Sequence, residues 1–272
     1  MSTTDFGVTR DGVVQLRRRF STSEPWAAML LLHGIAEHSG RYEHVGAQLA
    51  ANGIEVIAID QRGYGLSGGR RAYVRSFAEF CDDVEDQLAQ VRTLGLPTVL
   101  CGHSMGGLIA LGYVLDGRPA PDALALSGPA LGANIPAPLR PLIPLLARVA
   151  PRLRVPSPVD GSQLATDPAV AEAYFADPLV VTTTTPALAH AMLTEMQRVN
   201  HRLARLLVPT LVQHGGEDTL VPTASSEPLA AIGGVRRIVY PGLRHEIFNE
   251  PSHGAILDEL IDWLRGVLGQ SR

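Results

Sequence analysis

The hexapeptide GHSMGG, Gly102 to Gly107, carries the pattern G-x-S-x-G at Gly102, Ser104 and Gly106. Five residues of this kind are a weak signal alone. Here they follow the apolar run TVLC and precede LIALGYVL, so strand, turn and helix succeed one another around a serine, as a nucleophile elbow requires. A serine held in such a turn crowds the positions two before and two after it, and glycine relieves the crowding. The plainer alternative is a glycine-rich helix start capped by Ser104. A serine nucleophile needs a base, and the base needs an orienting carboxylate. Downstream, HGGEDTLVP puts Asp218 in the loop after TLVQHG, and YPGLRHEIFNEP puts His245 just past RRIVY. Nucleophile, acid and base thus follow in one of the known chain orders for this chemistry, each expected at the carboxyl end of a strand. Glu217 is the alternative acid and His253 the alternative base, while Asp218 also fits a simple turn residue.

A developing oxyanion requires two donors, and the Met105 N–H next to the nucleophile supplies only one. The second is expected from the loop after an earlier strand, where HGIAEHSGRYEH follows AAMLLL and places the Ile35 N–H. The same loop holds His33, His38 and His44, but a turn followed by an early helix points them apart, and no i, i+4 histidine pair encloses a glutamate. No metal is expected there. GYGLSG, Gly63 to Gly68, formally matches G-x-G-x-x-G after IEVIAID. A dinucleotide site would need a helix opening at those glycines, whereas GRRAYVRS continues as loop. A glycine-rich turn near the site is the better account, and the chemistry calls for no cofactor.

These residues need a scaffold. AAMLLLHG, IEVIAID, TVLCG, ALALSGP, TLVQHG and RRIVYPG read as buried strands, with a further strand near residues 12 to 20. Between them, 42 to 52, 76 to 94, 104 to 115 and 253 to 268 read as helices, which predicts α/β units around a mostly parallel sheet. The alternation breaks after Pro129, and eleven of the 20 prolines fall between Pro129 and Pro186. Proline interrupts long helices, so this stretch predicts an insertion of broken helices between two strands, emerging at the ligand-binding end of the sheet. Residues 1–129 and 208–272 are therefore expected to form the core, and 130–207 a cap or lid.

The formal net charge is −4 and Arg17-Arg18-Arg19 is the longest basic run, which argues against nucleic acid or an anionic membrane as a partner. All 23 basic residues are arginine, which removes lysine-nucleophile and Schiff-base chemistry. Cys81 and Cys101 are too few for a disulfide framework, and Cys101 reads as a buried packing thiol. No run of about 18 apolar residues is present and the first residues lack signal-peptide order, so a cytoplasmic location is expected.

The chain resembles monoacylglycerol lipases of the α/β-hydrolase superfamily, especially bacterial ones, along nearly its whole length. HGIAEHSGRY, IDQRGYGLSGG, GHSMGG, TDPAVAEAYFADPLV, HGGEDTLVP and HEIFNEP carry the resemblance. It implies an eight-stranded, mostly parallel sheet with a helical cap, a triad of Ser104, Asp218 and His245, and oxyanion donors at Ile35 and Met105. It further implies that Glu37 and Arg41 organise a polar end of the pocket for a glycerol group, the alternative being a structural ion pair. QRGYG, Gln61 to Gly65, departs from the HRGHG form common in the group. The expected reaction is hydrolysis of monoacylglycerol to glycerol and fatty acid through an acyl-enzyme. A lysophospholipase, general carboxylesterase or proline-type peptidase would use the same triad, and a non-catalytic binding protein the same fold. Leu142, Ile143 and Leu146 are expected to line the acyl channel or to touch a lipid surface transiently, giving peripheral membrane association; packing of the cap onto the core is the alternative.

Overall fold

The computed structural model describes residues 2–157 and 159–270. The chain opens with an antiparallel hairpin, β1 (Thr3–Val8) and β2 (Val14–Phe20), followed by β3 (Ala27–Leu32), α1 (Glu43–Ala51), β4 (Ile54–Ile59), α2 (Ala78–Arg92), β5 (Thr98–His103), α3 (Met105–Leu115) and β6 (Ala123–Ser127). After β6 it leaves the sheet through α4 (Leu142–Val149), the two-residue strand β7 (Val155–Pro156), α5 (Pro168–Ala176), β8 (Thr183–Thr184) and α6 (Pro186–Asn200). It returns as β9 (Thr210–Gly215) and β10 (Val235–Tyr240) and closes with α7 (His253–Val267). The eight-stranded sheet has the order β1-β2-β4-β3-β5-β6-β9-β10, and β3, β4, β5, β6, β9 and β10 run parallel within it, while β7 and β8 form a separate antiparallel pair. This is the α/β-hydrolase architecture that the motifs implied.

Strand periodicity explains why the sheet is apolar on both faces. Side chains alternate across a strand, so neighbouring residues feed opposite cores. Leu30, Leu32, Leu100, Leu124 and Leu126 join a core with α2 and α3, while Met29, Leu31, Val99, Cys101 and Leu211 join one with α1 and α7. Cys101 is thus a packing residue, and its thiol, like that of Cys81, is free and pushed up to about 12 by burial.

Two sequence expectations change in detail, and a third, the glycine-rich turn at Gly63 to Gly68, is met. The first strand is β1, an exposed edge strand whose alternation is too polar to have been read from the sequence. The helix expected from residue 42 starts as a 3-10 turn, Ser39–Tyr42, because Asp60 accepts from both the Ser39 N–H and hydroxyl and tightens that entry. The Gly63–Gly68 segment closes on itself, Gly63 N–H donating to the Gly68 carbonyl at 2.8 Å, and no helix opens before α2. The inserted segment also differs along its length. Leu188, Met196 and Val199 of α6 belong to the same core cluster as Leu108 and Leu111 of α3, whereas α4 buries none of its side chains.

Candidate active site

Ser104 sits between β5 and α3 with φ 51° and ψ −115°, a left-handed backbone that a serine adopts only under constraint. The constraint is visible in the glycines around it. A Cβ on Gly102 would run into the Gly106 carbonyl, and one on Gly106 into the Leu32 and His33 carbonyls of the adjacent strand end. This tight turn presents the Ser104 Oγ to His245, whose Nε2 lies 2.9 Å away. His245 Nδ1 is 2.6 Å from Asp218 Oδ2. All three residues are buried.

Electrostatics favours a charged acid and an orderly base. Burial pushes the Asp218 carboxyl up, but N–H donors from His214 and His245 and from the backbone hold it far below the usual carboxylate range. For His245, burial opposes the imidazolium, and the hydrogen bond and charge of Asp218 outweigh it, so its pKa is raised above the ordinary 6.5. The neighbouring His103 ring, 4.7 Å away, is lowered to about 3 by burial and by His245, and so stays neutral beside the base.

The other expected residues separate into those that reach this centre and those that do not. Ile35 lines the cavity beside Ser104, and Met105 opens α3 directly after it. Neither N–H donates to a protein acceptor among the described residues, leaving both available to an oxyanion at the positive end of α3. Ala36, at φ 73°, turns the first of these loops, and its carbonyl accepts from Val181 of the inserted segment at 2.7 Å. Glu37 also lines the cavity. One of its oxygens accepts from Gly34 N–H at 2.6 Å and Tyr42 hydroxyl at 2.7 Å, and the other from Arg41 at 2.7 Å. Arg41 itself does not line the cavity. It lies behind it, clamped by two 2.7 Å hydrogen bonds to Glu246 and stacked on Tyr174, and faces a separate cleft with His44 and Asp177.

The cavity has a volume of about 160 Å³ and a largely apolar wall made by Ile35, Val159, Leu164, Met192, Met196 and Leu220. Leu142, Ile143 and Leu146 are not part of it. Helix α4 projects instead to the outside, with Leu142, Leu145 and Val149 exposed by 45%, 55% and 67%. Larger, more open clefts elsewhere, such as that beside Trp26 and Arg265, contain none of the triad residues.

The loop histidines are dispersed as their neighbours demand. His33 accepts from Gln61 N–H at 2.9 Å, His38 pairs with Asp177 at 2.9 Å, and His44 contacts the Phe248 carbonyl at 2.7 Å. The alternative base, His253, is spent on the Glu250 carbonyl at 2.8 Å, and Glu217 is absent from the carboxylate contacts of His245. Three residues at the centre had no assignment from sequence: His103, whose ring packs beside His245, Glu246, which lines the cavity, and His214, which contacts Asp218.

Comparison with known proteins fixes the family. The family model described as Serine aminopeptidase, S33, matches residues 23–252. A monoacylglycerol lipase of Mycolicibacterium smegmatis is 39% identical over 251 residues, covering 89% of each chain. The chain belongs to this S33 family. Within the family it is a serine hydrolase of the α/β-hydrolase fold. It is also 31% identical to phospholipase YtpA of Bacillus subtilis, covering 85% of this chain and 92% of that one. The crystal structure of the Paleococcus ferrophilus monoacylglycerol lipase superposes with a TM-score of 0.84 at 27% identity, covering 94% and 98% of the two chains.

Proposed function

We propose that this S33 hydrolase cleaves monoacylglycerols, with Ser104 as nucleophile, His245 as general base and acid, and Asp218 as its orienting carboxylate. The observation that carries the reading is the continuous Ser104–His245–Asp218 hydrogen-bond chain beside a cavity that is apolar along its wall and carboxylate-lined at Glu37 and Glu246. His245 takes the Ser104 proton as Oγ attacks the ester carbonyl, and the N–H groups of Ile35 and Met105 hold the oxyanion. The carbonyl reforms and the C–O bond breaks, His245 giving its proton to the departing glycerol oxygen. Water, deprotonated by His245, then hydrolyses the acyl-serine and restores the site.

The polar end supports a neutral polyol head group. A carboxylate offers about four lone-pair positions, and Glu37 and Glu246 each use three on the protein, leaving one each for a substrate hydroxyl. Two carboxylates against the single Arg41 leave net negative charge there, which disfavours a phosphate-bearing lysophospholipid. Arg41 acts in this reading as the cation that holds both carboxylates, not as a ligand of glycerol. Residues 130–207 serve as the cap, with their exposed α4 face resting transiently on lipid surfaces from the cytoplasmic side. Among the described residues, no helix is long and apolar enough to cross a membrane.

Labelling by a fluorophosphonate, abolished in Ser104→Ala, tests the nucleophile; an unlabelled wild type would sink the mechanism. Rates on monoacylglycerol, matched lysophospholipid, short p-nitrophenyl esters and triacylglycerol test the substrate class. Monoacylglycerol should lead in kcat/KM, and equal rates on lysophospholipid or triacylglycerol would overturn that assignment.

A further inference from the structure

The triad's acid has a second imidazole on it. His214, the penultimate residue of β9, is fully buried, and its Nε2 lies 3.1 Å from Asp218 Oδ2 and 3.0 Å from the Val221 carbonyl. A carbonyl can only accept, so Nε2 carries the proton and donates into the pair of acceptors. The Asp218 oxygen it meets is the one that also takes His245 Nδ1, while the other carboxylate oxygen accepts from the N–H groups of Leu220 and Val221 at 3.0 and 2.9 Å.

Behind His214 the network continues outward. His214 Nδ1 is 2.9 Å from the Ser226 hydroxyl, and that hydroxyl oxygen accepts from Arg237 Nε at 2.9 Å. Arg237 also donates to the Thr223 carbonyl at 2.8 Å, which fixes the guanidinium. The Ser226 hydroxyl itself donates to the Thr223 carbonyl at 3.1 Å, so Ser226, Thr223 and Arg237 form a closed cluster that fixes the His214 ring from behind.

We infer that His214 is a positioning residue for the acid: its Nε2–H, directed by the Val221 carbonyl and held from behind by Ser226 and Arg237, aligns Asp218 and shares the charge that Asp218 offers to His245. This rests on the triad reading given above. Two donors divide the negative charge of one oxygen, so removing one leaves more of it for the His245 imidazolium. The groups facing His245 are Ser104, Asp218, His103, Glu246 and Glu37, and those facing His214 are Asp218, Ser226 and, through it, Arg237. The acid limb of the rate profile therefore reads out the second imidazole, because the other charged neighbours are untouched.

His214→Phe, which keeps a ring and loses the donor, should move the acid limb of kcat/KM upward by roughly half a pH unit to one unit. It should also lower kcat on the order of tenfold through misalignment of the acid, while fluorophosphonate labelling persists at a reduced rate. His214→Gln, whose amide N–H reaches the Nε2 position, should restore the limb. An unmoved limb in a labelled, folded His214→Phe overturns the inference and leaves the triad standing, whereas loss of labelling only in Ser104→Ala variants speaks to the triad alone. Should the Phe variant not fold, the wild type decides. In 15N-histidine-labelled protein, the ring whose resonances disappear in His214→Gln should carry a proton on Nε2, as the Val221 carbonyl requires. An Nε2 without a proton there would refute it.

Discussion

In the proposed mechanism His245 sets the pH range of the site, and the direction follows from its surroundings. The base must be neutral to accept the Ser104 proton, and its pKa is raised above 6.5 because Asp218, with Glu246 and Glu37 nearby, outweighs the cost of burying the imidazolium. Activity is therefore present above that raised value and lost as pH falls through it. The acid limb of kcat/KM should have an apparent pKa higher than 6.5; a limb below that value would show that burial dominates. Ser104, Asp218 and His245 were legible in sequence because each follows a recognisable apolar strand and the elbow glycines report a local steric demand. Glu246 and His214 were not, since nothing local marks them: their partners are brought together by the sheet order. Arg41 illustrates the same limit. Its ion pair with Glu37 was one of the two alternatives for these residues, but Glu246, 205 residues away in sequence, draws it behind the cavity wall.

At the scale of elements, the helices and strands of the core could be read from periodicity to within a few residues, and the inserted segment could not. Its prolines reveal interruptions, yet they do not reveal which pieces turn inward. Helix α6 does, and its first turn shows how it is fastened. The Thr185 hydroxyl caps the helix by accepting from Leu188 N–H and donates to the Ala72 carbonyl at 2.6 Å, in a fully enclosed position. Thr185→Ala should cost about 1 kcal/mol, lowering Tm by roughly 2–4 °C in a chain of this size, and Thr185→Ser should recover most of it. Thermal unfolding followed by circular dichroism measures both; an Ala variant as stable as wild type would remove the cap from the account. Helix α4 marks the opposite case. Its apolar residues recur at helical spacing and so resemble a channel lining, but that pattern is equally that of a face turned to the outside, and only the packing distinguishes the two.

Taken as a whole, the molecule carries a formal charge of −4, while residues 137–157 hold Arg140, Arg148, Arg152 and Arg154 and no acidic side chain. The exposed leucines of α4 lie within that basic stretch. Co-sedimentation with vesicles containing anionic lipid should fall when Leu142 and Leu145 are changed to serine, with hydrolysis of a short soluble ester unchanged; equal co-sedimentation would detach the cap from any role at a lipid surface. The inserted segment also grips the catalytic loops through main-chain bonds, Val181 N–H to Ala36 and the N–H groups of His245 and Glu246 to Gln163 and Leu164. Those bonds do not depend on side-chain identity, so point changes in the inserted segment can reshape the proposed acyl pocket without disturbing them. Exchanging a whole cap between relatives is a different operation: it replaces the strut that sets the spacing between the oxyanion loop and the base, and selectivity and turnover would then be altered together.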